Sequence, residues 1–451
     1  MSTFPCQVSR YLRVRERRGS VVVFHELHPD PLYCGKSEWE LLVQDVAAFR
    51  QAGLYQKLVS RGLLVTCDAD DDRDLREVTD RLERRMGQPT ILYLMLAQGC
   101  NFACKYCPIP EQAKRYGERL LSTEDARAGV DLWLEHIRES PDLPGSRFLI
   151  FYGGEPLLNK EVIESTIRYV TQLQRCGQSP EDIHFMICTN GVLFDHEMVR
   201  LCKEYNITVV VGIDGFGEFS NSLRVDAEGH GTFDKVVPVI RLLVEEGVRA
   251  CASVCITPLN VNQLGECAGF LEDLGIEKIG FNILKGRLLL QHVRREDLET
   301  YYRKAARGII ESARRREEPS FEYQIEKKRS AFESGDFFPD DCTCYGNQIV
   351  VQPDGRISNC PFFRAQLGHV RDVGTGFRIW NMPVVQQWRQ RLPMYCKEYE
   401  SADWKSMCGA GCAWSCGELH GDTFAIDEGS KILGEEVFNE LIWSRQDSDA
   451  S

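Results

Sequence analysis

Three cysteines are crowded into the run GCNFACKYCPIP: Cys100, Cys104 and Cys107, spaced C-x3-C-x2-C. Three thiolates on one tight loop can ligate three irons of a 4Fe–4S cluster, which leaves the fourth iron without a protein ligand. Four cysteines would close such a cluster and favour simple electron transfer; an open iron can bind another molecule directly. A second chemically loaded stretch is FLIFYGGEP, an apolar run to Tyr152 followed by Gly153 and Gly154, which allow close backbone approach, and by the carboxylate of Glu155. HFMICTNG presents Thr189 and Asn190, and TVVVGIDGFGEFSNSLR carries Asp214 and Arg224. For Asp214, directly before Gly215, a turn-forming role is as good a reading as a ligand-binding one.

A second group of cysteines lies near the C-terminus: Cys342, Cys344, Cys360, Cys396, Cys408, Cys412 and Cys416. CTCYGNQIVVQPDGRISNC reads as a hairpin, with QIVVQ and RIS as strands and PDG as the turn, Gly355 in the favoured place. Such a hairpin brings Cys344 near Cys360. CGAGCAWSC then supplies three cysteines with x3 gaps. Sulfur-rich sites of this kind suit iron–sulfur clusters or zinc. The other nine cysteines (Cys6, Cys34, Cys67, Cys176, Cys188, Cys202, Cys251, Cys255 and Cys267) lack ligand spacing, and buried free thiols are expected for most of them.

The residues that hold these groups fall into elements by hydrophobic period. ILYLMLA, FLIFY, HFMICTN, TVVVGID, ACASVCITP and KIGFNIL read as strands, with amphipathic segments such as STEDARAGVDLWLEHI and TFDKVVPVIRLLVEEG between them. That alternation predicts an α/β fold with a parallel sheet of six βα units, a partial (β/α)6 barrel, over residues 87–295. Functional loops are then expected at the C-terminal ends of the strands. Before it, residues 1–86 combine short strands with helical segments. After it come a charged helical linker at 296–339 and a small cysteine-rich domain at 340–445. No internal repeat is visible.

Composition narrows the function classes. The chain has 451 residues, 19 cysteines and a formal net charge of −13. So acidic a chain is a poor nucleic-acid binder, because phosphate contacts need a positive surface. No apolar run reaches the roughly 18 residues of a membrane span, and the first residues lack the apolar core of a secretory signal. The expectation is a cytoplasmic protein with no membrane or nucleic-acid partner, whose clustered cysteines bind metal.

The triad, with Tyr106 just before its last cysteine, resembles the radical S-adenosylmethionine (SAM) superfamily, and the later strand-end motifs extend the resemblance. It implies that Cys100, Cys104 and Cys107 hold a 4Fe–4S cluster whose open iron binds the amino and carboxylate groups of SAM. Gly153, Gly154 and Glu155 would contact the methionyl ammonium. Thr189 and Asn190 would hold the methionine and ribose, and Arg224 the carboxylate, a task suited to guanidinium. Asp214 and Tyr106 join this candidate cofactor set. The chemistry implied is reductive cleavage of SAM to methionine and a 5′-deoxyadenosyl radical, which abstracts hydrogen from an unreactive C–H bond.

The C-terminal cysteines resemble the SPASM domain of radical SAM peptide maturases. Cys344, Gly355 and Cys360 fit its first half, Cys408 and Cys412 its C-x3-C step. By that likeness Cys342, Cys344, Cys360 and Cys412 hold one auxiliary iron–sulfur cluster. For a second auxiliary cluster two expected cysteines fall on Tyr399 and Ala402, which leaves only Cys396, Cys408 and Cys416. A ligand such as His420 or an acid, an open iron, a zinc ion or no site at all would reconcile the pattern; by family likeness a second cluster, with Cys396, Cys408 and Cys416 as metal ligands, is the expectation.

The first 86 residues resemble the winged-helix-like segments that precede such maturases and bind a precursor's leader, for which strand addition is a suitable mode. The function implied is radical modification of a ribosomally made precursor peptide, by a thioether, a carbon–carbon crosslink or an oxidation. A reductant such as flavodoxin or ferredoxin would supply electrons, and the auxiliary clusters would accept the one left after bond formation. Anaerobic sulfatase maturation is a second reading. Those relatives carry Asp after the hairpin's second cysteine, where this chain has Pro361. A non-catalytic iron–sulfur redox sensor is the reading from another class; it leaves the GGEP motif and Arg224 without a use.

Overall fold

The computed structural model describes residues 7–44, 53–109, 113–114, 117–139, 146–314, 322–338, 341–363, 367–374 and 376–449. Cys6, one of the nine cysteines without ligand spacing, lies outside them.

The head holds β1 (Gln7–Val8), β2 (Leu12–Arg17), β3 (Ser20–His25), β4 (Leu32–Gly35), α1 (Lys36–Gln44), α2 (Gly53–Ser60), β5 (Leu64–Val65) and α3 (Asp68–Met86). β2, β3 and β4 form an antiparallel sheet, and β1 pairs with β5. Strand alternation splits β3 between two cores. Val21 and Val23 join Leu32, Leu42, Leu54 and Leu58 in a core of the head's own, whereas Val22 and Phe24 pack into the main core.

Six parallel strands follow, each ending within one residue of the predicted run or two short of it: β6 (Ile91–Ala97), β7 (Arg147–Gly153), β8 (Ile183–Thr189), β9 (Thr208–Gly212), β10 (Ala250–Ile256) and β11 (Lys278–Ile283). Between them run α4 (Thr123–Arg138), α5 (Lys160–Arg175), α6 (His196–Glu204), α7 (Phe233–Glu245) and α8 (Leu264–Asp273). Near-continuous apolar strands such as ILYLMLA are what a parallel sheet covered on both faces requires. Each helix buries one stripe, as α5 does with Val162, Ile163, Ile167 and Val170. Ser122 caps α4, its hydroxyl accepting from the Asp125 N–H at 3.1 Å.

Two helices come next, α9 (Leu298–Arg314) and α10 (Tyr323–Glu333), then β12 (Gln348–Val351), β13 (Arg356–Ser358), β14 (Gly368–His369), α11 (Pro383–Arg389), α12 (Ala413–His420) and α13 (Glu428–Asp449). The hairpin forms as expected, with Gly355 at φ +76° in its turn. Its place was not expected: β12 pairs in parallel with β6, Gln348 opposite Ile91, so one sheet of nine strands runs β11-β10-β9-β8-β7-β6-β12-β13-β14. The cysteine-rich region is therefore continuous with the barrel sheet. At the opposite edge, Glu322 precedes α10 and accepts the Phe281 N–H at 3.3 Å and the Ile325 N–H at 2.8 Å. Burial pushes its carboxyl up to about 7.

The boundary placed at residue 86 is likewise a packed joint. Met86 is fully buried among Cys344, Tyr345 and Cys360, and a Cβ on Gly346 would lie 2.1 Å from the Met86 carbonyl oxygen. The head also docks on α13. Phe24 meets Phe438 at 5.2 Å between ring centroids, Arg15 lies over Phe438 and forks onto Asp403, and Arg17 lies over Trp443. Buried Glu26 pairs with Arg13 and Lys405. Among the described residues no helix is long and apolar enough to cross a membrane.

Candidate functional site

One cavity of about 550 Å³ opens at the C-terminal ends of the barrel strands. Cys100, Cys104 and Cys107 stand on its wall with Tyr106, Gly153, Gly154, Thr189, Asn190 and Arg224. The cysteine loop is held from two sides. Ala103 N–H donates to the Val225 carbonyl and Lys105 N–H to the Leu223 carbonyl, both at 2.8 Å. From the other side, Gly154 N–H donates to Ala97 at 2.9 Å and Glu155 N–H to Gly99 at 3.1 Å. Only glycine fits at 154: a Cβ there would sit 2.0 Å from the Gly99 oxygen.

Glu155, which the resemblance places against the cofactor, and Asp214, read equally well as turn-forming or ligand-binding, are fully buried and are not among the residues lining the cavity. Glu155 is occupied by the protein. Its Oε1 accepts from the Thr189 hydroxyl at 2.6 Å and the Leu157 N–H at 3.0 Å, and its Oε2 from the Asn190 N–H at 2.8 Å. Burial raises its pKa against these bonds. Asn190 in turn donates to Asn101 Oδ1 at 2.8 Å, beside Cys100. Asp214 accepts from the Tyr106 hydroxyl, from Arg224 Nη2 at 3.0 Å and from the Cys255 N–H at 3.0 Å. Both carboxylates hold residues that face the cavity.

Arg224 is the cation of this wall. It lies 5.8 Å from the Tyr106 ring centroid. Gly212 makes room for it, since a Cβ there would meet Nη1 at 2.7 Å. Its Nε is buried with no hydrogen-bond partner, an unusual state for a guanidinium and one that a carboxylate would relieve.

Cys342 and Cys412 line the same cavity. Cys342, Cys344, Cys360 and Cys412 lie in electrostatic reach of one another, boxed by Tyr345, Trp388, Phe362 and Trp414. Among the described residues no three thiols lie within 4.8 Å of one another. A single zinc, with Zn–S near 2.3 Å, would need its ligands closer together than that. Burial pushes the thiols up, Cys100 to about 11 and Cys107 and Cys360 to about 12; bound metal deprotonates such a group outright.

Cys396, Cys408 and Cys416, the candidates for a second auxiliary site, have the following contacts. The Cys396 thiol donates to the Arg391 carbonyl at 3.1 Å, Cys408 packs against the Tyr399 hydroxyl, and Cys416 accepts from Arg391 Nη2 at 3.3 Å. Two residues set aside as buried thiols, Cys188 and Cys255, line the main cavity instead. Parity was the signal: Cys255 shares the lumen-facing side of β10 with Ser253. Tyr152 and Trp414, which lie within FLIFYGGEP and CGAGCAWSC, and Lys285, just after KIGFNIL, also stand on the wall though none was singled out as a site residue.

Comparison with known proteins matches this architecture. Residues 94–271 match the model of the Radical SAM superfamily. The Fe-coproporphyrin III synthase of Methanosarcina barkeri is 27% identical over 242 residues, 53% of this chain and 55% of that one. The serine-type anaerobic sulfatase-maturating enzyme of Bacteroides thetaiotaomicron is 28% identical over 193 residues, 42% of this chain and 45% of that one. The matches thus span about half the length of these relatives. The structure of native anSMEcpe with bound AdoMet and Cp18Cys peptide superposes with a TM-score of 0.63 at 19% identity, covering 79% of this chain and 99% of that one. The protein has an α/β fold with a radical SAM domain, whose cofactors are a 4Fe–4S cluster and SAM. The open thiol triad and the unpartnered Arg224 Nε fit that pair.

Proposed function

We propose that this radical SAM protein modifies a ribosomally made precursor peptide, forming a thioether or carbon–carbon crosslink. The observation that carries this reading is one cavity whose wall carries Cys100, Cys104, Cys107 and Arg224 together with Cys342 and Cys412. Cys100, Cys104 and Cys107 would hold the first cluster; Cys342, Cys344, Cys360 and Cys412 would hold an auxiliary one. When bound, the cluster and SAM supply a 5′-deoxyadenosyl radical that takes hydrogen from an unactivated carbon. Arg224, fixed by Asp214 and Tyr106, binds the SAM carboxylate. The backbone at Gly153 and Gly154 and the Thr189–Asn190 turn, fixed by Glu155, shape the rest of that wall. Tyr152, Phe362 and Trp414 form an aromatic side of the cavity that excludes water from the reacting carbon. The head offers a small open sheet for the leader, and flavodoxin or ferredoxin is the class of reductant required. A peptide substrate is supported by the peptide-bound neighbour of similar fold.

The test is co-expression with each short peptide encoded nearby, followed by mass spectrometry of the peptide. Loss of two hydrogens, dependent on Cys100, Cys104 and Cys107, is expected. The likeness to sulfatase-maturating enzymes makes protein oxidation the second reading. If every nearby peptide stays unchanged while a sulfatase-derived peptide is oxidised, that reading replaces the first.

A further inference from the structure

Lys285 follows β11 and stands on the cavity wall with Cys342 and Cys412. Its ammonium donates to Asp427 Oδ2 at 2.7 Å. The same oxygen accepts the backbone N–H of Cys412 at 2.7 Å, and Oδ1 accepts that of Ser430 at 3.2 Å. One carboxylate thus ties the end of the barrel, the cysteine loop and the start of α13 together. Two glycines mark how closely these segments meet. Gly411 has φ +70°, and a Cβ on it would lie 2.5 Å from Asp427 Cβ; a Cβ on Gly286 would lie 2.7 Å from the Trp414 ring. Gly286 N–H also donates to Ser415 Oγ at 2.9 Å.

A largely buried ion pair is weak evidence for stability, because desolvation offsets its attraction. Its placement here suggests another role. The pair sits beside one ligand of the four-thiol set, with the cation on the cavity side. Charge near a cluster and hydrogen bonds around its thiolates set its reduction potential.

Resting on the function proposed above, we propose that Lys285 and Asp427 are positioning residues for the Cys342–Cys344–Cys360–Cys412 site: Asp427 fixes the Cys412 backbone, and the two charges set the site's potential in opposite directions. A positive charge favours the reduced, more negative cluster, so Lys285 raises the potential and Asp427 lowers it.

The experiment uses the full chain carrying C100A, C104A and C107A, so that only auxiliary iron remains. Iron content is measured first, then the reduction potential by dithionite titration with electron paramagnetic resonance. Lys285→Gln should lower the reduced-to-oxidised ratio at fixed poise about tenfold, about 59 mV for one electron. Asp427→Asn should shift it the opposite way, and Lys285→Arg should stay near the parent. Shifts of the same sign in K285Q and D427N, or no shift in either, would overturn the proposal. If K285Q loses its iron, retention in K285R supports the positioning role, and loss in K285R as well refutes it. A parent chain without iron would instead refute the auxiliary site itself, a result distinct from either.

Discussion

Gly154→Ala is a single-methyl perturbation aimed at the cysteine loop. The added carbon would lie 2.0 Å from the Gly99 oxygen, 2.5 Å from its carbonyl carbon and 3.1 Å from Ile109 Cγ2. A carbon and a carbonyl oxygen settle at about 3.3 Å, so Gly99 must move by about 1.3 Å. Gly99 directly precedes Cys100, and the Glu155 N–H that holds it at 3.1 Å would be stretched or lost. The clash costs about 1–3 kcal/mol and the hydrogen bond about 1 kcal/mol more. A misplacement of about 1 Å at a reacting centre costs about 100-fold in rate. Anaerobically reconstituted G154A should therefore bind less iron at the first site and release 5′-deoxyadenosine from SAM about 100-fold more slowly, with auxiliary iron retained. Gly99→Ala is the control, because the nearest atoms its Cβ would meet belong to the Glu118 side chain, at 3.5 Å and beyond. Wild-type cleavage by G154A, or equal damage from G99A, would refute the reasoning.

Other outcomes follow from the same geometry. Arg224→Met should weaken SAM binding by at least tenfold in isothermal titration while leaving iron content unchanged, since the lost contact is charge-assisted; unchanged affinity would remove Arg224 from the cofactor wall. Replacing Cys396, Cys408 and Cys416 one at a time by Ser should leave iron at about eight per chain, the sum of two 4Fe clusters; loss of about four irons would restore a site at those residues. His25, buried beside His28 and Arg13, is held down to about 3, chiefly by desolvation. Being kept neutral, it contributes stability that is present above its unfolded pKa of about 6.5 and lost as pH falls toward 3; at pH 5.5 the loss is about 1.4 kcal/mol. His25→Asn should flatten that acid limb in denaturant titrations, and an unchanged limb would assign it to other groups.

The barrel was legible because each strand is a short apolar run bounded by turn residues, and β6 coincides with ILYLMLA from Ile91 to Ala97. The candidate site was legible where its residues cluster in sequence, as at Cys100, Cys104 and Cys107. Three features were not. The pairing of β12 with β6 joins residues more than 250 positions apart, and no local period reports it. Lys285 and Asp427 meet across 142 positions, outside any motif. The full burial of Glu155 and Asp214 is set by long-range packing, which no motif reports. For Cys396, Cys408 and Cys416 the family pattern is incomplete in sequence, and in the fold Cys396 and Cys416 both contact Arg391.

The decisive measurement is SAM cleavage by the anaerobically reconstituted full chain under dithionite, with 5′-deoxyadenosine and methionine quantified by mass spectrometry. The wild-type chain should release both in equal amounts, and the C100A/C104A/C107A chain should release neither while keeping about four irons. A wild-type chain that carries iron at the triad but leaves SAM intact, or a triple variant that still cleaves it, would contradict the assignment of Cys100, Cys104 and Cys107 as the radical-generating centre.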